Sequence, residues 1–223
     1  MRISDRFILK PDFYNLGELG LDYKDLLTYI TIRSFYNIKS KYCYPSFRAI
    51  SKLSGLSTYF VGKSMKRLRD AGILNAWVVA GRRRKAYWYM FENISGLNKV
   101  PYELLMDYDL TTNEKSILIL LSEYCKQGFC SDSIAEIADK SGVSQRIIDA
   151  WYQTLLLKGY IVESIYEDPL TNTLTKHFAL TKMLQWNLKS YDNPNDDISD
   201  LSIDDLLNVY HNHRRAVTSA TRY

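Results

Sequence analysis

The sequence predicts a mainly α fold with small β-hairpins, built as two tandem helix-turn-helix units that each close with a hairpin. Three observations carry this expectation. Between Tyr44 and Phe91, apolar residues at helical spacing break at Gly55, resume, and then give way to strand-like alternation. The same pattern returns after a shift of 87 residues without a gap. Glycines also punctuate both copies alike, Gly55 with Gly142 and Gly72 with Gly159.

In chain order, Phe7-Ile8-Leu9 and Phe13-Tyr14 form an apolar lead-in, an arm that packs on the first unit or on a second subunit. Asp22 is placed to cap a helix from Tyr23 to about Tyr36, with Leu26, Leu27, Ile30 and Phe35 for the core. Asn37 to Tyr42 is its polar exit. Ser46 caps the next helix, apolar at Phe47, Ile50 and Leu53, and Gly55 ends it because a tight turn between crossed helices needs positive φ. Ser57 caps a third helix whose buried stripe is Val61, Met65 and Leu68. Gly62 falls on its exposed side, where it costs about 1 kcal/mol relative to Ala. Close backbone approach to a ligand and a tolerated weak spot both account for it. Asp70-Ala71-Gly72 stops the helix, and Ile73–Ala80 and Lys85–Phe91 alternate as paired strands around Gly81-Arg82-Arg83-Arg84-Lys85.

Glu92 to Lys99 is polar and reads as a linker, after which Pro101 to Leu105 leads to Thr111-Thr112-Asn113-Glu114, a capping box for a helix over Lys115–Tyr124. The second copy then aligns Ser133, Ile134 and Ile137 with Ser46, Phe47 and Ile50. Beyond them Ser144, Ile148, Leu155 and Ile161 fall on Ser57, Val61, Leu68 and Leu74. Its hairpin is expected from Ile161 to Ser164 or beyond, with a turn at Asp168-Pro169 and a return strand over Thr175–Leu180. Of Trp151 and Tyr152, at least one is expected in the core. Residues 191–223 form an acidic tail, polar over Asp192–Asp200, with a short amphipathic helix starting near Ser202; it docks on a partner or folds back on its own protein.

Charge is divided unevenly. Residues 1–97 carry 17 Lys and Arg against 7 Asp and Glu, a net +10, whereas residues 98–190 carry 9 against 12 and residues 191–223 carry 3 against 6, each a net −3. The first portion suits a polyanion and the rest does not. No apolar run approaches the roughly 20 residues of a membrane span, so no membrane contact is expected. The start MRISDRFILK has no signal-peptide core, and Cys43, Cys125 and Cys130 are too few and scattered for a disulfide framework or zinc knuckle. A cytoplasmic protein with ordinary thiols is expected. Enzymatic constellations are missing too: Gly17-Glu18-Leu19-Gly20 lacks the Lys-Ser/Thr of a phosphate loop, and His177, His211 and His213 have no partners at metal-ligand spacing. The expectation is no enzyme, no cofactor and no metal.

The stretch Ser-x-x-x-Val-x-x-x-Met-x-x-Leu-x-x-x-Gly-Ile-Leu, from Ser57 to Leu74, resembles the helix-turn-helix of winged-helix DNA-binding proteins, especially plasmid and phage replication initiators and small bacterial regulators. The resemblance covers roughly Leu21 to Phe91. It implies two tandem winged helix-turn-helix domains, a basic DNA-binding one over 1–97 and a second over 98–190 for dimerisation or partner contact. The third helix presents Thr58, Tyr59, Lys63, Lys66, Arg67 and Arg69, donors suited to phosphates and base edges. The DNA-binding residues expected are Ser46, Arg48, Ser57, Thr58, Tyr59, Lys63, Lys66, Arg67, Arg82, Arg83, Arg84 and Lys85. Thr58, Tyr59 and Lys63 would enter the major groove of double-stranded DNA, Lys66 and Arg67 would hold phosphates, and Arg82 to Lys85 would lie along the backbone or in the minor groove.

At the matching face the second copy has Gln145, Arg146, Asp149, Ala150 and Gln153, and its hairpin carries Tyr166-Glu167-Asp168 in place of arginines. Acids beside phosphates repel, so this copy is expected to bind DNA weakly and to serve a homodimer or a protein partner through residues 98–223. The resemblance makes initiation or control of replication of a plasmid, phage or other mobile element the leading expectation. Transcriptional regulation is the alternative, and an architectural adaptor using winged helices for protein contacts is the reading from another class.

Overall fold

The computed structural model describes residues 7–13, 15–37, 39–80, 85–91, 98–125, 129–167, 174–181, 183, 184 and 186. The expected turn at Asp168-Pro169 and the helix near Ser202 lie outside them. β1 (Phe7–Lys10) precedes α1 (Tyr23–Arg33), which starts in a capping box: Asp22 accepts from the Lys24 amide at 2.9 Å while Asp25 accepts from the Asp22 amide at 2.8 Å. α1 stops short of the expected Tyr36. The amides of Phe35 and Tyr36 bond three residues back, to Ile32 and Arg33, tightening the chain into turns.

α2 (Phe47–Ser54) and α3 (Thr58–Asp70) start where Ser46 and Ser57 accept from the amides of Ala49 and Phe60, both at 3.1 Å. Gly55 ends α2 at φ +76°, in the left-handed region. After α3, Ile73 and Leu74 return their amides to the Leu68 carbonyl, which is why the strand begins only at Asn75. β2 (Asn75–Ala80) and β3 (Lys85–Met90) pair antiparallel from Asn75↔Met90 to Ala80↔Lys85.

The second half follows as β4 (Asn98–Pro101), α4 (Glu103–Met106), α5 (Thr112–Tyr124), β5 (Phe129–Cys130), α6 (Ile134–Ser141), α7 (Gln145–Leu157), β6 (Ile161–Glu167) and β7 (Leu174–Leu180). α6 and α7 sit 87 residues after α2 and α3, with the same lengths. Gly142 repeats the left-handed cap at φ +71°. The hairpin gains a third strand that sequence periodicity had not indicated, because β5 is only two residues long; the order is β5-β7-β6.

Two features alter the picture of separate halves joined by a linker. β1 pairs antiparallel with β4, so Asn98 and Lys99 belong to a strand and the N-terminal arm packs on its own chain. A buried Lys10–Glu123 ion pair and the Asn98 side chain, which donates to Asp12 at 2.7 Å and to Glu123 at 3.4 Å, hold this strand against α5. α5 is buried on every side from Glu114 to Tyr124, as an apolar helix at the centre of a core must be, and α1 packs along it. One continuous apolar cluster runs from Ile8 and Leu26 through Leu118 and Leu121 to Ile148 and Phe178.

The α2–α3 and α6–α7 elbows also dock across the two halves, one on the start of α5 and the other on the approach to α1. The Leu16 and Gly17 amides donate to the Ser141 carbonyl at 3.0 and 3.2 Å, and the Thr112 hydroxyl donates to the Ser54 carbonyl at 3.4 Å. The two halves therefore meet through reciprocal contacts.

Glu114 anchors the start of α5. Burial opposes its ionisation, yet the Lys158 ammonium at 2.8 Å and the Thr111 cap outweigh burial and hold its pKa at about 2, against an ordinary 4.5. A carboxylate with a lowered folded-state pKa contributes stability above its unfolded pKa and loses it as pH falls toward the folded value. Glu114→Gln is expected to cost about 2 kcal/mol at pH 7, allowing for the solvent around Lys158, and the deficit should fade between about pH 4.5 and pH 2. Urea unfolding of both proteins across that range checks it; a deficit independent of pH would deny the ion pair its role.

Candidate nucleic-acid interface

α3 is held at its ends and along one face, which leaves its other face presented. Val61, Met65 and Leu68 are buried against α1 and α2, while Thr58, Tyr59, Lys63, Lys66 and Arg69 are exposed. Because the Ser57 cap orders the first turn, Thr58 and Tyr59 stand at the start of the helix. Tyr59 is 71% exposed, and the Lys63 ammonium lies 4.6 Å from its ring centroid, one turn on. This i,i+4 cation–π pair orders both side chains on the open face. Arg48, exposed on α2, and the exposed Ser46 and Ser57 flank it in sequence. Arg69, already named among the donors of this helix, is exposed as well, and Lys52, in the last turn of α2, adds an exposed cation that sequence reasoning missed; its four-residue spacing from Arg48 was the available signal.

Two expectations are corrected. Arg67, only partly exposed, does not hold its guanidinium free for a phosphate. It donates from Nε and Nη2 to the two oxygens of Asp25, each at 2.6 Å, and Asp25 is fully buried at the N-terminus of α1. That hydrogen-bonded carboxylate raises the pKa of Arg67, and its guanidinium carbon also lies 5.2 Å from the Phe60 ring centroid. The charge is thus committed to joining α3 to α1. Gly62, placed by sequence on the exposed side, faces α2: a Cβ there would lie 3.4 Å from Phe47 Cε2, in contact with the edge of that ring.

Arg82, Arg83 and Arg84 lie outside the described residues, and Lys85 begins β3, paired with Ala80. In the second half, α7 exposes Gln145, Arg146, Ala150 and Gln153, with Asp149 half-buried among them. Tyr152 is buried and Trp151 packs against the core, as expected for at least one of the pair. The same scaffold therefore offers a basic face on α3 and a mixed, nearly neutral one on α7.

A family model described as a helix-turn-helix domain matches residues 19–74, a span that takes in α1, α2 and α3 and ends just before β2. That match supports DNA binding by this part of the chain. No curated protein matches the chain. Among the described residues no helix is long and apolar enough to cross a membrane.

Proposed function

We propose that the chain is a non-enzymatic, sequence-specific binder of double-stranded DNA with two tandem winged-helix units. The first, over 1–97, grips the duplex, and the second, over 98–190, serves pairing or a partner. The observation that carries this reading is the open face of α3, on which Thr58, Tyr59, Lys63, Lys66 and Arg69 are exposed while the opposite stripe is buried. Thr58, Tyr59 and Lys63 read base edges in the major groove; Lys66 and Arg69 hold phosphates. The process served is initiation or control of replication of a mobile element. Clustered direct repeats among DNA fragments selected by the full chain would support initiation, and a single palindrome over a promoter would move the reading to transcriptional regulation.

Tyr59→Ala and Lys63→Ala are each expected to narrow the affinity gap between selected and scrambled duplex about tenfold, since a good base contact contributes about 1–3 kcal/mol of discrimination. Lys66→Ala should lower both affinities together and flatten the slope of log affinity against log salt by about 0.9. Titrating each variant on both duplexes separates the roles. An unchanged ratio for Tyr59→Ala and Lys63→Ala would mean that α3 does not read sequence, and the protein-contact adaptor would then lead.

A further inference from the structure

The pairing of Trp77 with Trp88 puts these residues on one face of the β2–β3 hairpin; Tyr87 and Tyr89 lie on the other, Tyr87 stacking on Phe47 at 4.9 Å and Tyr89 fully buried. The outer face carries an aromatic cluster centred on Trp88. Tyr42 stacks on Trp88 at 4.4 Å, with Tyr44 at 5.9 Å and Trp77 at 6.5 Å from the same ring. Tyr44 is 67% and Trp77 40% exposed, so both ends of the cluster are open. Beside it lies a cleft of about 430 Å³ where the rings of Tyr42 and Tyr44 adjoin the polar side chains of Asn37 and Ser40. The exposed Lys39 and Lys41 precede Tyr42 in sequence.

We infer that this face binds an unpaired nucleic-acid strand, with bases stacked on Tyr44 and Trp77 and phosphates near Lys39 and Lys41. Exposed aromatic rings beside cations form the combination that holds single strands, because every base offers a π-face. Paired bases are already stacked on their neighbours, so a duplex offers these rings no free base face. Charge decides against a second copy of the chain: residues 1–97 carry a net +10, and two such surfaces repel where a polyanion is attracted. The inference rests on the duplex-binding reading in one respect: it adds a single-strand site beside the proposed duplex site on the same basic unit.

The test is the affinity of the full-length protein for fluorescent 15-nucleotide oligo-dT and oligo-U and, separately, for its selected duplex. Tyr44→Ala and Trp77→Ala should each weaken single-strand binding about 5- to 100-fold while duplex affinity changes less than twofold. Tyr44→Phe, which keeps the ring, should bind oligo-dT like the unaltered protein. Preference for oligo-dT or oligo-U identifies the strand as DNA or RNA. Single-strand affinity that both alanine variants leave unchanged overturns the inference, as does a dimer that these substitutions dissociate. The duplex titration reads the proposed function on its own: strong duplex binding without single-strand binding sinks only this inference, and loss of duplex binding by the unaltered chain sinks only that function.

Discussion

Gly142→Ala is expected to lower stability by about 3 kcal/mol or more, and Gly159→Ala by about 1 kcal/mol, although both glycines have φ above +70°. The backbone strain is common to the two, since an L side chain at such φ costs about 1–2 kcal/mol. The difference is what the new Cβ meets. At Gly142 it would lie 2.9 Å from the Gly17 Cα and 3.1 Å from the Gly17 nitrogen, both backbone atoms that no rotamer change can move aside. At Gly159 nothing among the described residues lies within 4 Å. Accommodating the methyl would push the α6–α7 elbow off the chain before α1 and stretch the two hydrogen bonds to the Ser141 carbonyl. Thermal unfolding should show a drop of about 6–12 °C for Gly142→Ala against about 2–4 °C for Gly159→Ala. Equal drops would show that the two halves do not meet at Gly17.

Arg67→Ala is expected to destabilise the fold by about 2–4 kcal/mol, because it leaves the Asp25 carboxylate buried without its cation. The lower part of the usual range for breaking a buried pair applies, as Arg67 remains 29% exposed and water can reach the vacated position. Its DNA phenotype should follow from stability. At a temperature where the variant is fully folded, its log affinity against log salt should keep the original slope, whereas Lys66→Ala loses about 0.9. A slope reduced in Arg67→Ala as well would return Arg67 to the phosphate-binding set. Asp25→Asn gives a second reading of the pair: it retains the shape of the Asp22 capping box and removes the charge, and it should recover part of the stability lost on removing Arg67 when the two are combined.

Local rules made much of the chain legible. Ser46, Ser57 and Thr111 cap the helices they were expected to cap, and Gly55 and Gly142 end theirs in the left-handed region, since both effects depend on a few adjacent residues; Ser144, aligned with Ser57, makes no side-chain cap bond. The 87-residue repeat set the spacing of α6 and α7 for the same reason: similar local signals, the glycine stops above all, recur in the same order. The exposed face of α3 was legible from periodicity at Thr58, Tyr59, Lys63 and Lys66.

Tertiary structure alone decided matters that depend on residues far apart in the chain. Arg67 has the spacing of a surface cation, and only the packing of α1 against α3 places Asp25 under it, 42 positions away. Gly62 and Phe47 likewise meet only when α2 crosses α3. The outward aromatic cluster required the strand register, because Tyr42 and Tyr44 lie outside both strands and reach Trp88 through a bridge between Cys43 and Tyr89. Strand β4 carries no distinctive pattern in four residues; its partner β1, more than 80 positions earlier, makes it a strand, and through that pairing and the elbows on Gly17 and Thr112 the two halves share one core. Sequence specified the α2–α3 and α6–α7 pairs by short-range chemistry, and long-range packing decided which charges on α3 were left free to meet a ligand.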